Sequence, residues 1–456
     1  MPKRNIIWLI AILLGAVALV WVTRNQPSLL RSDSDREFRS VQWAYGLVRD
    51  RYYRVLDDTE LRRSAVEGIM QSLDEFSQYI PPESQDGLTR RVSEGLRRGL
   101  GLTLSSDPNS VGARVTDVQY FSPAYRGGLL VGDVVTAIDE QPTEGLSDDQ
   151  LAERLDGETG TKAVLTVRAN GGPAQDLPLT RSEYPTETVQ GLCRDEEGNW
   201  LYLIDPERRV ACVRIREFVA DTPEQFQAVF RQIGTPSALV LDLRGNRGGS
   251  LEAATNFCDQ FLSDGVIVST VSRNEAPILH HAHRVGTYAR PIVVLIDEET
   301  ASAAEVVCGA LQHRGRAVLV GHRTRGKGCV QTLFPLGDGL GMIGLTTAEF
   351  FFGDEPTSIT RVEGSEMWGI DPDITVDLSN PIRLARLQRE AAMLRRPQMP
   401  AQNRTPVPSR EMLQRLIDND EPLQRAAELL RDPQAMRQYL ADEATAGDAT
   451  SSPSNE

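Results

Sequence analysis

The sequence lacks the residue patterns that identify several common kinds of functional site. Its five cysteines include no C-x-x-C pair, so they predict neither a zinc site nor a redox motif. A disulfide between Cys193 and Cys212 is conceivable, but small buried thiols are the commoner outcome. The five histidines contain no H-E-x-x-H pattern, and His280 to His283 is more typical of a polar loop than of a metal site. We therefore expect no metal and no cofactor.

An excess of basic residues is also missing. The chain has 49 Lys and Arg against 64 Asp and Glu, which leaves a net charge of −15. This balance argues against a nucleic-acid partner, because such a surface needs a basic stripe. The absence of a G-x-S-x-G elbow argues against an α/β-hydrolase. The remaining composition, 40% hydrophobic and 25% charged over 456 residues, is typical of a globular protein with more than one domain.

Ile6 to Val22 is an uncharged and almost wholly apolar segment. As a helix it would be roughly 25 Å long, just enough to cross a bilayer. The small residues Ala16 to Ala18 lie inside the run, whereas a signal-peptide cleavage site should end it. We therefore predict an uncleaved transmembrane anchor within residues 1–24. Basic residues on both sides leave its orientation open.

The next two regions differ in character. Residues 25–98 mix apolar positions with many arginines and are predicted to be helical, with Pro81–Pro82 as the stop. Residues 99–184 instead alternate as short strands between glycine turns. The segment Ser122 to Asp133, S-P-A-Y-R-G-G-L-L-V-G-D, and the short helix after Ser147 resemble a PDZ domain of the bacterial protease type. The resemblance implies that an extended peptide adds beside Leu102 to Ser105.

A loop at the start of this region would bind the peptide's terminal carboxylate. The expected peptide-binding residues are Gly99, Leu100, Gly101 and Leu102.

From Thr186 the pattern changes to strands alternating with helices, which predicts a mostly parallel α/β sheet. The apolar strand Ala238 to Leu243 ends in a glycine-rich loop. A second apolar strand, Ile292 to Ile296, leads into a polar turn carrying Thr300 and Ser302. Both loops follow the carboxyl ends of strands, so we expect them to meet at one edge of the sheet.

A glycine turn further along the chain presents Lys327 and has two simpler interpretations. Gly321 to Lys327 fits the phosphate-loop pattern G-x-x-x-x-G-K, but the next residue is Gly328 rather than Ser or Thr. The residues after it, Cys329 to Phe334, predict a strand and not the helix that would hold a phosphate. The other interpretation is a helix-capping Ser302 and a solvent-facing Lys327, which is what isolated residues of these types usually are.

Five motifs, in one order, resemble the C-terminal processing peptidases of the S41 serine protease family over about Asp35 to Val376. They are Leu73 to Ile80 (LDEFSQYI), Asp242 to Gly249 (DLRGNRGG), Thr300 to Glu305 (TASAAE), Thr324 to Gln331 (TRGKGCVQ) and Gly369 to Ile374 (GIDPDI). The chain departs from the family pattern at Glu75 and Arg247, where proline is usual, and at Ala304, where serine is usual. None of these three is a reacting group.

The resemblance implies a ClpP/crotonase-like α/β core with an inserted PDZ domain. It also implies Ser302 as nucleophile, Lys327 as general base and Gln331 as the residue that orients the lysine. A lysine base must be neutral, which requires lowering its pKa from about 10.4 by roughly three units. The Ala303 N–H at the helix start and the Gly248 N–H on the neighbouring loop are the expected oxyanion donors, with Gly249 as the alternative to Gly248.

The predicted organisation is therefore an anchor (1–24), a helical region (25–98), a PDZ domain (99–184), a peptidase core (185–379), a helical extension (380–444) and a disordered tail (445–456). The predicted function is a membrane-anchored serine endopeptidase that cleaves proteins near free C-terminal tails. The resemblance implies that its catalytic part lies on the extracytoplasmic side of the inner membrane. A catalytically silent PDZ scaffold and a crotonase-type acyl-CoA enzyme are the alternatives. The extension could serve a homo-oligomer or an adaptor, although solvated helices are commoner.

Overall fold

The computed structural model describes residues 34–85, 95–106, 111–119, 121–130, 132–168, 172–195, 199–283, 287–337, 339–353, 358–362, 364–393, 409–432 and 434–440. The chain divides into two compact units, Met1–Leu73 and Asp74–Glu456. The anchor predicted at Ile6 to Val22 and the tail predicted at 445–456 lie outside the described residues. Within the described ranges, no helix is long and apolar enough to cross a membrane.

The first unit contains two helices, α1 (Ser34–Arg51) and α2 (Asp58–Met70). Helix α2 starts at Asp58 because the Asp57 carboxylate caps it, accepting from the Thr59 and Glu60 N–H groups at 2.8 and 2.9 Å. The Tyr45 hydroxyl donates to the Asp58 carboxylate at 2.9 Å. This bond joins the two helices. The presence of α1 and α2 confirms the helical prediction for these two segments.

The predicted helical character up to residue 98 is wrong for two segments of the second unit. These are the strands β1 (Gln78–Ile80) and β2 (Leu96–Gly99). Each is stabilised by a partner far away in sequence, because β1 pairs with residues 342–344 and β2 pairs with residues 182–185. Local propensity could not reveal such pairings.

A β-domain follows, and its elements are β3 (Leu102–Ser105), β4 (Ala113–Val118), α3 (Pro123–Arg126), β5 (Val134–Ile138), β6 (Gln141–Pro142), α4 (Asp148–Leu155), β7 (Lys162–Arg168), β8 (Ala174–Thr180) and β9 (Ser182–Pro185). The sheet order is β3-β4-β5-β7-β8, with β6 beside β5. Ser147 and Gln150 form the predicted capping box at the start of α4. Its apolar face buries Leu151 and Leu155 in the domain's own core.

The larger α/β part contains β10 (Val189–Gln190), β11 (Cys193–Arg194), β12 (Trp200–Leu201), β13 (Leu203–Asp205), β14 (Val210–Ile215), α5 (Thr222–Ile233), β15 (Ala238–Asp242), α6 (Leu251–Cys258), β16 (Val266–Ser272), β17 (Ile278–His281), β18 (Ile292–Ile296), α7 (Ala303–His313), β19 (Val318–Gly321), β20 (Cys329–Pro335), β21 (Met342–Phe351) and β22 (Ile374–Thr375). Strands β14, β15, β18, β19 and β22 are parallel neighbours in that order. The predicted parallel sheet is thus confirmed.

The central strands of this sheet are buried on both faces, which explains their continuous apolar sequences. Alternate residues of β18 point to opposite sides. Ile292, Val294 and Ile296 belong to the core shared with α6 and α7. Val293 and Leu295 belong to a second core on the other face.

Three described helices and a fourth helical segment follow the sheet in the chain: α8 (Pro381–Met393), α9 (Ser409–Ile417), α10 (Glu421–Arg431) and α11 (434–440). Helix α10 buries Leu423 and Leu429 against the second face of the sheet. Solvated helices were the commoner expectation, and that expectation is wrong for α10 because it completes the core. The five cysteines are all buried as free thiols.

A second, antiparallel sheet stands beside the parallel one and reaches the site described below. Its strand order is β1-β21-β16-β17, with β20 also paired to β21. The β20–β21 hairpin begins just after Lys327. Strand β1 pairs with the first residues of β21, Met342 to Gly344. Residues near the start of the second unit therefore lie beside the β20–β21 hairpin.

Candidate active site

The loops that follow β15 and β18 lie against each other at the carboxyl edge of the parallel sheet. The Ala301 N–H donates to the Asn246 carbonyl at 2.9 Å. Gly248 faces the start of α7 so closely that a Cβ there would lie 2.8 Å from the Ser302 Cβ and 2.9 Å from the Ala303 nitrogen. A side chain at position 248 would therefore collide with the site. The expectation that the two loops meet is confirmed.

Ser302 has an unusual backbone conformation between β18 and α7. Its φ of +57° and ψ of −122° belong to a region that residues other than glycine rarely adopt. Strained conformations of this kind concentrate at functional sites. The sequence of this turn does not contain the G-x-S-x-G pattern. The turn nevertheless connects a strand to a helix sharply, as a nucleophile elbow does.

Glu305 is the residue that connects Ser302 with Lys327. Its side chain is fully buried. One carboxylate oxygen, Oε2, accepts from the Ser302 N–H at 2.7 Å and from the Lys327 N–H at 2.9 Å. The other, Oε1, accepts from the Gly326 N–H at 2.7 Å and from the Thr324 hydroxyl at 2.5 Å. One carboxylate thus holds the serine turn and the lysine turn together.

Burial raises the pKa of Glu305, while the hydrogen bonds from Thr324, Gly326, Ser302 and Lys327 oppose that rise. The sequence prediction did not include this residue, although a signal for it exists. Ser302-Ala303-Ala304-Glu305 fits the capping-box pattern S-x-x-E. The pattern predicts the bond back to the Ser302 N–H, but not the bonds to the lysine turn.

Lys327 is half-buried, and burial is the main reason its pKa lies below the usual value for lysine. Arg325 adds to the lowering, whereas Cys329, Glu305 and Asp74 oppose it. The Lys327 Nζ lies 5.0 Å from the centre of the Phe76 ring. A partly desolvated lysine of this kind is better suited than a surface lysine to act as a neutral base. The solvent-facing interpretation of Lys327 is therefore not supported.

Gln331 follows on strand β20, where the side chain is partly buried. Its Nε2 donates to the Cys329 Sγ at 3.1 Å and to the Thr346 Oγ1 at 3.5 Å. Gln331 and Thr346 are register partners on β20 and β21. The amide nitrogen is thus directed to the hairpin, which leaves the amide oxygen as the acceptor for another donor.

The two expected oxyanion donors are neighbours, but their present bonding differs. Ala303 is the first residue of α7, where backbone N–H groups have no acceptor within the helix. The Gly248 N–H donates to the Asn246 Oδ1 at 2.8 Å. Asn246 is itself fully buried and held by a bond from its Nδ2 to the Ile215 carbonyl at 3.0 Å. Asn246 is a second site residue that the sequence prediction missed.

Two charged residues of the Asp242 to Gly249 motif, Asp242 and Arg244, belong to a buried network of ion pairs next to the site. Asp242 is fully buried and accepts from Arg214 at 2.6 Å and from Arg244 at 2.9 Å. Arg244 also pairs with Asp420 at 2.7 Å. Burial alone would raise the pKa of Asp242, but the two arginines hold it well below its usual range. This network secures the loop that carries Asn246.

The β-domain has a groove where peptide binding was predicted. The groove has a volume of about 430 Å³, and the four predicted residues Gly99, Leu100, Gly101 and Leu102 all line it. Its opposite wall is α4. Strand β3 is the outermost strand of the described sheet, so its free edge borders the groove. Arg97 at the same end forms an ion pair with Glu217 of the larger part.

The histidines have no evident place in the chemistry. His322 Nε2 pairs with Asp377 Oδ1 at 2.6 Å, which directs the ring to a carboxylate outside the dyad. Across the described ranges, no group of three or more His, Cys, Asp or Glu side chains is arranged to hold a metal ion.

Comparison with known proteins agrees with these observations. The model of peptidase family S41 matches residues 209–376, and a PDZ-domain model matches residues 114–169. The carboxy-terminal-processing protease of Bartonella bacilliformis is 30% identical over 387 residues, which cover 83% of this chain and 84% of that protein. A carboxyl-terminal-processing protease of Synechocystis sp. is 33% identical over 335 residues, or 72% of this chain and 74% of that one.

Among solved structures, the photosystem II D1 C-terminal processing protease is similar at 25% identity and a TM-score of 0.44, over 74% of this chain and 86% of that one. From the family match and the coverage of its relatives, the chain belongs to peptidase family S41. It is a serine-type endopeptidase of the C-terminal processing class, and it carries a PDZ domain.

Proposed function

We propose that Ser302 and Lys327 form the catalytic dyad of this peptidase, and that the dyad cleaves proteins near their C-termini. The observation that supports this most directly is the Glu305 carboxylate, which accepts hydrogen bonds from the backbone of both residues. The lowered pKa of Lys327 adds support, because a base must be unprotonated when the reaction begins.

In the proposed reaction, the neutral Lys327 Nζ takes the proton of the Ser302 hydroxyl as Oγ attacks the substrate carbonyl carbon. The protonated lysine then gives that proton to the leaving amine, the C–N bond breaks, and an acyl-enzyme forms. A water molecule, activated by the same lysine, hydrolyses the ester and regenerates the serine. Gln331 orients the lysine through its amide oxygen.

The oxyanion formed in each step is stabilised by the Ala303 N–H and the Gly248 N–H. Use of the Gly248 donor requires that it exchange its present bond to the Asn246 Oδ1 for a bond to the substrate oxygen. Gly249 is the alternative donor on the same loop. The close approach of Gly248 to Ala303 supports the first choice.

The PDZ groove receives the substrate's C-terminal tail as a strand added beside β3, with the tail carboxylate against Gly99 to Leu102. Within the described residues β3 is an edge strand, and this edge and the groove beside it support the role. The bound tail delivers the preceding segment to Ser302 and gates the site.

The segment Ile6 to Val22 anchors the enzyme in the inner membrane, with the catalytic part on the extracytoplasmic side. The uncharged apolar sequence supports the anchor, and the resemblance to the C-terminal processing peptidases supports the side of the membrane. The chain acts as a homo-oligomer or with an adaptor. Alkaline carbonate extraction of membranes tests the anchor, since release of the full-length chain into the soluble fraction would contradict it.

The central test compares the wild type with Ser302→Ala and Lys327→Ala on an unfolded protein that has an apolar C-terminal tail. Both variants should lose cleavage by at least about 10³-fold, because nucleophile and base act as a unit. Product fragments are quantified over time, with folding checked by circular dichroism. Equal cleavage by all three proteins would contradict the dyad, whereas a wild type without activity would favour the silent-scaffold alternative.

A further inference from the structure

The first of the five family motifs in the chain, Leu73 to Ile80, has no role in the reaction as described so far, yet its turn is held by specific hydrogen bonds. The Asp74 Oδ1 accepts from the Phe76 N–H and the Ser77 N–H, each at 2.8 Å. The Asp74 Oδ2 accepts from the Ser77 hydroxyl at 2.9 Å. This turn is an Asx-turn in which one carboxylate accepts three hydrogen bonds from two residues.

The turn is attached to the hairpin that carries Gln331. Strand β1 starts right after Ser77 and pairs with β21, Gln78 opposite Gly344. The Thr346 N–H donates to the buried Ser77 Oγ at 3.1 Å. The Thr346 hydroxyl lies 3.1 Å from the Asp74 Oδ1. The Thr346 Oγ1 also lies 3.4 Å from the Ser77 Oγ. Thr346 therefore contacts the turn through both its backbone and its side chain.

The chemistry of these groups determines the direction of the hydrogen bonds. An ionised carboxylate only accepts, so Thr346 must give its single hydroxyl proton to Asp74. The Thr346 oxygen is then an acceptor, and two groups face it. The Ser77 hydroxyl lies 3.4 Å away but has a shorter bond to Asp74 Oδ2 at 2.9 Å. The Gln331 amide nitrogen lies 3.5 Å away and can donate to it. Cys329 adds a second acceptor at 3.1 Å. The Gln331 oxygen is consequently directed away from the hairpin.

Lys327 is touched by the same turn. The Phe76 ring centre is 5.0 Å from the Lys327 Nζ, a distance typical of a cation–π contact. Such a contact favours the protonated lysine that exists after the proton leaves Ser302. The Asp74 carboxylate acts in the same direction by charge.

We propose that Asp74 is a positioning residue for the catalytic base, acting on Gln331 through Thr346 and on Lys327 through Phe76. The proposal rests on the Ser302–Lys327 dyad proposed above. The relay keeps the Gln331 oxygen available to Lys327 Nζ, and its negative end stabilises the lysinium formed in the transition state. It therefore assigns a function to the Leu73 to Ile80 motif.

The charged and titratable groups that face Lys327 are Arg325, Glu305, Asp74 and the Cys329 thiol. Burial raises the pKa of Cys329, which favours the neutral thiol. Glu305 is bound to four donors and fully buried, whereas Asp74 is reached from solvent. Asp74 is thus the negative charge that can be removed with the least disturbance of the turn.

The test uses the full-length enzyme and measures kcat and KM for a tail-bearing protein substrate from neutral to alkaline pH. Asp74→Asn keeps the oxygen that accepts from Phe76 and Ser77 but removes the charge. Thr346→Val removes the hydroxyl at nearly constant volume, and Thr346→Ser restores it. Asp432→Asn is the matched control, because Asp432 accepts from the N–H groups two and three residues later in the same way.

Thr347→Val is the control for the hairpin, because the Thr347 hydroxyl bonds to Thr332 and not to the relay. We expect Thr346→Val to lower kcat by about 10-fold or more, since small displacements of catalytic groups cost at least that much. Asp74→Asn should lower kcat to a similar extent for a different reason, because the protonated lysine loses a stabilising charge and the Ser77 hydroxyl loses its acceptor Oδ2. KM should stay within about twofold, and both controls should resemble the wild type.

The pH profile separates positioning from a merely structural effect. Removing the Asp74 charge lowers the pKa of Lys327 further, so the rising limb of kcat/KM should move to lower pH in Asp74→Asn. The rising limb should not move in Thr346→Val, because this substitution removes no charge. Thr346→Ser should recover most of the rate. Wild-type kcat and an unmoved limb in Asp74→Asn would overturn the relay alone, while full activity of Ser302→Ala would overturn the dyad and the relay with it.

Discussion

At the residue scale, the site depends on a few buried side chains that bind backbone rather than substrate. Glu305 accepts from both the serine turn and the lysine turn, and Asn246 fastens the loop of Gly248. Such groups fix the reacting atoms before substrate arrives, which is the main contribution of a rigid site to rate. The Ser302 N–H donates to the Glu305 carboxylate, and this bond helps to hold the strained backbone of Ser302 in place.

The lowered pKa of Lys327 has a direct consequence for the pH dependence of activity. Only the neutral amine is a base, so kcat/KM should rise with pH through an apparent pKa below the free-lysine value of about 10.4. Burial favours the neutral form, which is the direction found here. Initial rates on a tailed protein substrate across pH measure this limb. A limb at or above the free-lysine value would contradict the neutral-base role.

At the scale of elements, the PDZ groove lies between the edge of strand β3 and helix α4. Helix α4 presents Ala152 to the groove, while the buried Leu155 forms part of its floor. A side chain as small as alanine leaves room for the side chains of an added strand. The Ser105 and Asp148 side chains bond across the far end at 3.2 Å, which sets the separation of β3 and α4.

Filling the groove should weaken tail recognition without touching the dyad. In Ala152→Trp the indole would occupy the space of the peptide, so KM for tail-bearing substrates should rise by about 10-fold or more. Glu153→Trp is the matched control, because Glu153 is exposed on the same helix but does not line the groove. Rates are compared on tailed and tail-capped substrates.

If the groove gates the site as proposed, kcat for tailed substrates should fall in Ala152→Trp as well. Unchanged kcat and KM for both substrates would contradict a role of the groove in tail recognition.

At the scale of the second unit, the C-terminal helices are part of the catalytic core and not an appendage. Asp420 caps α10 by accepting from the Leu423 N–H at 3.1 Å and also pairs with Arg244 of the loop below the site. Helix α10 covers the second face of the parallel sheet through Leu423 and Leu429. The sheet would otherwise expose a face of valine and leucine side chains.

Loss of Asp420 should therefore destabilise the unit that carries the site. Asp420→Ala removes a helix cap and leaves Arg244 with one carboxylate in place of two, which should lower the free energy of unfolding by about 3 kcal/mol. Urea unfolding followed by circular dichroism measures the change. Asp418→Ala, an exposed aspartate two residues earlier, should lie within about 0.5 kcal/mol of the wild type.

The central strands and the family motifs could be predicted because their signals are local. The continuous apolar runs of β15 and β18 indicated a sheet buried on both faces, and that sheet is confirmed. The motifs around Ser302 and Lys327 indicated a serine peptidase of the S41 family, and the family is confirmed. The dyad roles of these residues stay predictions. The helical prediction failed at β1 and β2, since their pairing partners are distant in the chain.

The sequence alone thus determined the family of the enzyme, its PDZ domain and its parallel sheet, because motifs and short-range periodicity carry these features. The dyad that it indicated stays a prediction. Tertiary structure decided what holds those residues in place. Glu305 joins two turns, Asp74 reaches Gln331 through Thr346, and Asp420 ties the last helices to the site loop. Each of these contacts links positions far apart in the chain, and no local pattern specifies which distant residues will meet.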